Sequence, residues 1–171
     1  MIEIIKKKKN GGYAILELLF YIAFFGTLSL LTINAMITMA KSFKETAIQA
    51  EFVRSGTIME RMSREIKQAY NIDLTSTATD LKLNVKDSAG ADKIVEFKFV
   101  SPNIQLWDAG VNVGNLNPPN MRVTNISFTQ ITALKDKSVN IVLSIRSNND
   151  TLARVLDFHD TIVLRGTYKG S

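Results

Sequence analysis

The hydrophobic and polar positions divide the chain into three stretches with different periods. Residues 18–40 hold 23 consecutive positions without a formal charge. Between Lys41 and Tyr70, apolar residues recur every three or four positions, which is the spacing of one helix face. After Tyr70 the period falls to two, which is typical of strands with one buried side. The pattern therefore predicts a long helix followed by a β domain.

The first stretch has the length and composition of a membrane-inserted helix. At about 1.5 Å per residue, 23 helical residues span roughly 35 Å, enough to cross a bilayer with some tilt. Its few polar residues are of the kind that bond to carbonyls of their own helix: Thr27, Ser29, Thr32, Asn34 and Thr38. A soluble core helix is one alternative, but such a helix has a polar face. A cleaved secretory signal is another, but such signals have a shorter apolar region that ends in small residues. We therefore predict a membrane helix over residues 13–40.

The second stretch, residues 41–70, predicts an amphipathic continuation of the same helix. Gly56 weakens its middle by roughly 1 kcal/mol relative to alanine. The predicted buried stripe consists of Ile48, Phe52, Ser55, Met59, Met62, Ile66 and Ala69. Charged residues, Glu51 among them, are expected on the other faces. This half of the helix should pack on a globular head.

The third stretch, residues 71–171, predicts an antiparallel β head. A turn at Gly90 should join a strand that buries Leu81, Leu83 and Val85 to one that buries Phe97, Phe99 and either Ile94 or Val95. A short strand should end at Trp107, and residues 108–120 are rich enough in Asn, Gly and Pro to predict a loop. Later strands should bury Ile126 and Phe128, then Val139, Ile141, Leu143 and Ile145, then Ile162 and Leu164. The fold class is α+β, because no strand–helix–strand alternation is present.

The charge distribution predicts topology more than a polyanionic partner. Of the net charge of +5, the first twelve residues supply +3, since Lys6, Lys7, Lys8 and Lys9 stand against Glu3. Lysines beside an apolar span stay on the cytoplasmic side, so the head should be extracytoplasmic. The chain has no cysteine, which excludes disulfides and thiolate metal sites.

The order of basic leader, Gly11-Gly12, Tyr13, Glu17 and apolar helix resembles the type IV prepilin family, including type II secretion pseudopilins and competence pilins. The resemblance implies a leader at residues 1–12, removed by prepilin peptidase between Gly12 and Tyr13, and N-methylation of Tyr13. Cleavage there makes Glu17 the fifth mature residue, which is the family register. The chain departs from the family in having tyrosine rather than phenylalanine first, and Asn34 where proline is common.

Glu17 is the physically unusual residue, since an isolated carboxylate in hydrocarbon costs about 2.5–3.5 kcal/mol on insertion scales. The resemblance implies that it pairs with the new α-amine on Tyr13 of a neighbouring subunit. A wrong axial register would leave both charges unpaired, so the pair would select subunit position. The alternative is that Glu17 lies at the interfacial edge and reaches water.

Residues 56–69, GTIMERMSREIKQA, resemble the same helix of J-type and W-type minor pilins. The implied function is a minor pilin-like subunit of a type IV pilus, type II secretion pseudopilus or competence filament. Its implied partners are the prepilin peptidase, other pilin or pseudopilin subunits, an inner-membrane assembly platform and membrane lipid. It would span the cytoplasmic membrane once and then enter a cell-surface or periplasmic filament. The alternative is a permanently anchored single-span protein whose β head binds a ligand or partner.

The sequence predicts no enzyme, cofactor or metal site. His159 lies between Asp157 and Asp160, but alternation along a strand turns it away from Asp160. Asp108, Asn112 and Asn115 offer oxygens for calcium, although such residues more often serve turns. Nucleic acid is not an expected partner, because no aromatics are interleaved with the basic residues. DNA uptake is the alternative for these cations: Arg122, Lys135, Lys137, Arg146, Arg154, Arg165 and Lys169.

Overall fold

The computed structural model of the protein describes residues 11–132 and 136–166. One helix, α1, runs over Gly11–Gln68 and is 58 residues long. The chain divides into two compact units, one ending at Thr46 and one beginning at Ala47. The lysines Lys6 to Lys9, with Lys135 and Lys169, lie outside the described residues.

The second unit, called the head below, combines residues 47–68 of α1 with two antiparallel sheets. The larger sheet has strand order β1-β2-β3-β4-β5, and the smaller has order β6-β7-β8. The larger sheet comprises β1 (Asn71–Ile72), β2 (Asp80–Lys86), β3 (Asp92–Val100), β4 (Asn103–Asp108) and β5 (Val111–Asn115). The smaller comprises β6 (Met121–Thr132), β7 (Lys137–Ser147) and β8 (Leu156–Val163). The α+β class is confirmed.

One hydrophobic core joins the helix to both sheets. The helix stripe is confirmed at its buried members Ile48, Ser55, Met59, Met62, Ile66 and Ala69, while Phe52 is only half-buried. The stripe omitted Ile58, which is buried beside Met59 because helix and sheets meet over more than one row of side chains. The completely buried side chains include Leu83, Phe97, Ile104, Ile141, Leu143 and Ile145.

The strand predictions are mostly confirmed in position and in phase. Leu81, Leu83 and Val85 are buried on β2, and Gly90 has φ of +84° in the following turn. On β3 the alternation settles on Val95, which is 2% exposed, whereas Ile94 is 42% exposed. The four inward residues predicted for β7 are all buried, and Leu164 is buried just beyond the end of β8.

The predicted loop over residues 108–120 is wrong for its first half. Ala109 and Gly110 have φ of 50° and 81° and join β4 to β5 as a two-residue turn, with Asp108 opposite Val111. Strand β5 lies at the sheet edge and all its residues are exposed, so no alternation of buried and polar positions marks it. The Asn and Gly content that suggested a loop instead belongs to an exposed edge strand.

The end of α1 is capped by the last described segment. The backbone N–H of Arg165 donates to the carbonyl of Lys67, and that of Gly166 donates to the carbonyl of Ala69, each at 3.1 Å. These bonds satisfy carbonyls that a helix end leaves without intrahelical partners. A Cβ added to Gly166 would lie 2.6 Å from the carbonyl carbon of Ala69, so this close approach requires glycine.

Candidate functional site

The first turns of α1 carry the residues with the predicted processing and assembly roles. Gly12 lies in the first turn, and the side chain of Tyr13 is 81% exposed. Glu17, also exposed, follows four residues later, so the two side chains lie on the same helix face. Cleavage after Gly12, methylation of Tyr13 and pairing with a neighbouring subunit stay predictions.

Glu17 has a hydrogen-bond donor, Tyr21, that was not predicted from the sequence. The hydroxyl of Tyr21 donates to Oε1 of Glu17 at 3.2 Å, one helical turn further along. A spacing of four residues on a helix is the signal that identifies this pair, since residues i and i+4 are surface neighbours. Tyr13, Glu17 and Tyr21 therefore form a row along one helix face, with the carboxylate in the middle.

The apolar run after Glu17 is exposed on every side within the chain. Its large hydrophobic side chains from Leu18 to Met39 are between 48% and 69% exposed. Among the described residues, α1 is the one helix long and apolar enough to cross a membrane, and none of its apolar window is buried. So large an exposed apolar surface is unfavourable in water and requires lipid or other helices around it.

The polar residues of this run behave as a helix in hydrocarbon requires. The hydroxyls of Thr27, Thr32 and Thr38 donate to the carbonyls of Phe24, Leu28 and Asn34 at 2.8–2.9 Å. The expectation that they bond to their own helix is thereby confirmed for these three residues. Each hydroxyl donor is satisfied without water, so the run can remain in an apolar environment.

Within the head, Glu51 binds a turn of the chain to α1. Its carboxylate accepts hydrogen bonds from Oγ of Ser147, which is buried, and from Nδ2 of Asn149 at 2.8 Å. Oγ of Ser147 in turn accepts the backbone N–H of Asn149 at 3.0 Å. Glu51 was expected only on a face other than the buried stripe, because nothing in the local pattern shows which turn will reach it.

The same turn is closed by Asp150, whose side chain is only 1% exposed. Its carboxylate accepts from the guanidinium of Arg154 at 2.9 Å and from the backbone N–H groups of Leu152 and Arg154. The Arg154 guanidinium, helped by these N–H groups, lowers the pKa of Asp150 from 3.8 to about 2. Asp150 is thus a structural carboxylate.

Two carboxylates, Asp80 and Glu96, lie near each other on the outer face of the larger sheet. Burial raises the pKa of Glu96 above its ordinary value, and the nearby charge of Asp80 raises it further by a smaller amount. Oδ1 of Asp80 is buried without a hydrogen-bond partner. Lys98 lies 3.8 Å from Glu96, too far for a hydrogen bond that would offset the repulsion. The charges of Lys82, directly opposite Glu96, and of Lys98 act in the opposite direction and lower the pKa of Glu96.

The other residues singled out in the sequence do not converge on a site. His159 is exposed on β8 opposite Val142, on the face away from Asp160. Asp108 accepts from Nζ of Lys93 at 2.9 Å, while Asn112 and Asn115 lie along β5. In residues 11–132 and 136–166, no group of three or more His, Cys, Asp or Glu side chains is placed to hold a metal ion.

The candidate basic residues differ in their surroundings. Arg154 is bonded to Asp150, and Nζ of Lys137 donates to Oδ1 of Asn71. Arg122 and Arg146 lie directly opposite each other in the smaller sheet.

Comparisons with protein-family models, with curated proteins and with solved structures found no match to this chain. Its function therefore has to be inferred from its own residues. The strongest functional signal among them is the first half of α1, where an acid stands at the start of an exposed apolar run.

Proposed function

We propose that this protein is a minor subunit of a filament of the type IV pilin class, in a pilus, a type II secretion pseudopilus or a competence filament. The carrying observation is the register at the helix start. A glycine pair is followed by Tyr13, then by Glu17 four residues later, then by an apolar run exposed on all sides. Lipid surrounds this run before assembly, and the helices of other subunits surround it in the filament.

The charge pair proposed for assembly follows from the free-energy cost of placing the Glu17 carboxylate unpaired in an apolar environment. Cleavage after Gly12 creates an α-amine on Tyr13, and the Glu17 carboxylate of an adjoining subunit accepts it. In a medium of low dielectric, either charge alone is expensive, so only the subunit spacing that brings them together is favourable. The pair therefore fixes the axial position of each new subunit.

The Tyr21 hydroxyl gives Glu17 a partner while the subunit waits in the membrane. A hydrogen bond to a charged group contributes about 1.5–3 kcal/mol, which is comparable to the insertion cost of the carboxylate. The bond at 3.2 Å lies within one helix, so it needs no second subunit. Tyr21 thus lowers the free-energy cost of keeping Glu17 in the membrane, and it leaves Oε2 of Glu17 available to a second partner.

Mass spectrometry of the mature N-terminus tests the processing step. A chain that begins at methylated Tyr13 supports the proposal, and Gly12→Val should keep the leader in place. Gly11→Val is the matched control, since a cut after Gly12 leaves it inside the leader, and it should still be processed. An intact leader in cells with an active prepilin peptidase favours the permanently anchored alternative and contradicts the proposal.

Assembly is tested by Glu17→Ala, which should leave cleavage intact but reduce incorporation into sheared filaments by tenfold or more. That figure corresponds to about 1.4 kcal/mol, less than the cost of one unpaired buried charge. Glu60→Ala removes an exposed carboxylate from the same helix outside the apolar run and should have no effect. Normal incorporation of Glu17→Ala would exclude the pairing role.

A further inference from the structure

Arg122 and Arg146 form a pair of like charges that the fold does not neutralise. Arg122 is the second residue of β6 and Arg146 the last but one of β7, and the antiparallel register sets them directly opposite each other. Directly opposed residues have Cβ atoms about 4.5–5.5 Å apart, and like charges in that position are destabilising. Such an arrangement needs a compensating partner.

Both side chains point away from the core and are half-buried. Their neighbours along the strands, Met121 and Val123 on β6 and Ile145 on β7, are buried on the opposite face. In the described parts of the chain, Nε of each arginine is buried without a hydrogen-bond partner. A buried donor left unsatisfied costs about 1–3 kcal/mol, and more when it is charged, so each guanidinium has binding capacity that the head itself does not use.

The carboxylates that the fold brings to this end of the sheet are engaged by other donors. Glu51 accepts from Ser147 and Asn149, and Asp150 accepts from Arg154. Asp157 on β8 accepts from Oγ of Ser144 at 2.6 Å. None of these three acids forms an ion pair with Arg122 or Arg146 within the described residues, so we expect the compensating anion to come from outside the head.

We propose that Arg122 and Arg146 bind one oxyanion group, a carboxylate or a phosphate, presented by a molecule outside the head. Guanidinium groups match both anions through two parallel N–H donors, and two of them converging on one anion neutralise each other's repulsion. The next outward positions toward the middle of the sheet are neutral, with Asn125 opposite Ser144 and Ser127 opposite Val142. The site therefore fits a single anionic group rather than a row of phosphates.

Thermal unfolding of the full chain in detergent micelles tests this site, with the fluorescence of Trp107, the only tryptophan, as the signal. Acetate and inorganic phosphate are each compared with chloride at constant ionic strength. At ten times its Kd, the bound anion should raise Tm by about 3–6 °C. A response to acetate identifies a carboxylate ligand, and a response confined to phosphate identifies a phosphate ligand.

Variants then locate the response. Arg122→Gln and Arg146→Gln should abolish the rise and, in chloride, should be at least as stable as wild type, because repulsion is removed. Arg122→Lys keeps the charge but loses the paired donors, and it should retain only part of the rise. Arg64→Gln, an exposed arginine on α1, is the control and should respond as wild type does.

A second measurement does not depend on any variant folding. In the ¹⁵N-labelled full chain, the Nε–H resonances of two arginines should shift in a saturable manner as the effective anion is added. The proposal is overturned if neither anion raises Tm above chloride, if the glutamine variants respond as wild type does, or if no Nε–H resonance shifts.

Discussion

Removing the carboxylate of Glu51 should destabilise the head far more than an ordinary surface substitution. Glu51→Ala deletes the acceptor for two hydrogen bonds, from Ser147 and from Asn149. A hydrogen bond to a charged group contributes about 1.5–3 kcal/mol, and the exposed Asn149 belongs at the lower end. The hydroxyl of Ser147 would also be left without this acceptor, and because Ser147 is buried, water cannot readily replace it. We expect a loss of about 2–4 kcal/mol in the free energy of unfolding.

The assay is urea and thermal unfolding of the full chain in detergent micelles, followed by Trp107 fluorescence. A loss of that size lowers Tm by roughly 6–15 °C for a domain of this length. Glu51→Gln keeps one acceptor oxygen and should lose less than Glu51→Ala. Glu60→Ala, an exposed carboxylate on the same helix, should stay within about 0.5 kcal/mol of wild type. If Glu51→Ala is no less stable than Glu60→Ala, the hydrogen bonds from Ser147 and Asn149 to Glu51 do not stabilise the head.

Two further predictions concern the close approach of Gly166 to the end of α1 and the buried carboxylate of Asp150. Gly166→Ala should lower the free energy of unfolding by about 1–3 kcal/mol, because the added Cβ would lie 2.6 Å from the carbonyl carbon of Ala69. Gly56→Ala is the control: it has open space around it and should raise the free energy of unfolding by about 1 kcal/mol. Equal stability of the two variants in urea would contradict the close approach at Gly166. The stabilisation from Asp150 is present above pH 3.8 and is lost as pH falls toward 2, because folding lowers its pKa. Between about pH 4 and pH 2, the Tm of Asp150→Asn should therefore fall less than the Tm of wild type. An identical dependence of Tm on pH in the two chains would show that Asp150 does not contribute this stabilisation.

The first half of α1 could be predicted from the sequence because its signal is local. An uncharged apolar run of 23 residues favours one continuous helix, since a helix satisfies its backbone polar groups internally. The position of Glu17 relative to Gly12 is equally a property of the sequence alone. The contact between Tyr21 and Glu17 could also have been predicted from the sequence, because residues four apart on a helix are neighbours.

The strands of the core were predictable for a related reason. Alternation of large apolar and polar residues placed Leu81, Leu83 and Phe97 correctly, because a half-buried strand must turn every second side chain inward. The same reasoning failed at β5, where all residues are exposed, because an edge strand with no buried side has no alternation to detect. At β3 the sequence allowed two phases, and only packing against the core chose Val95 over Ile94.

By itself the sequence determined the apolar helix, the acid at its start and the inward faces of most strands, because each depends on residues within one or two turns of one another. Only the tertiary structure decided that the strands form two sheets, that Glu51 meets Ser147, 96 residues away along the chain, and that Arg122 stands opposite Arg146. Those contacts depend on sheet register and on the path of turns. Register is set by the packing of the whole core, which no local pattern of residues encodes.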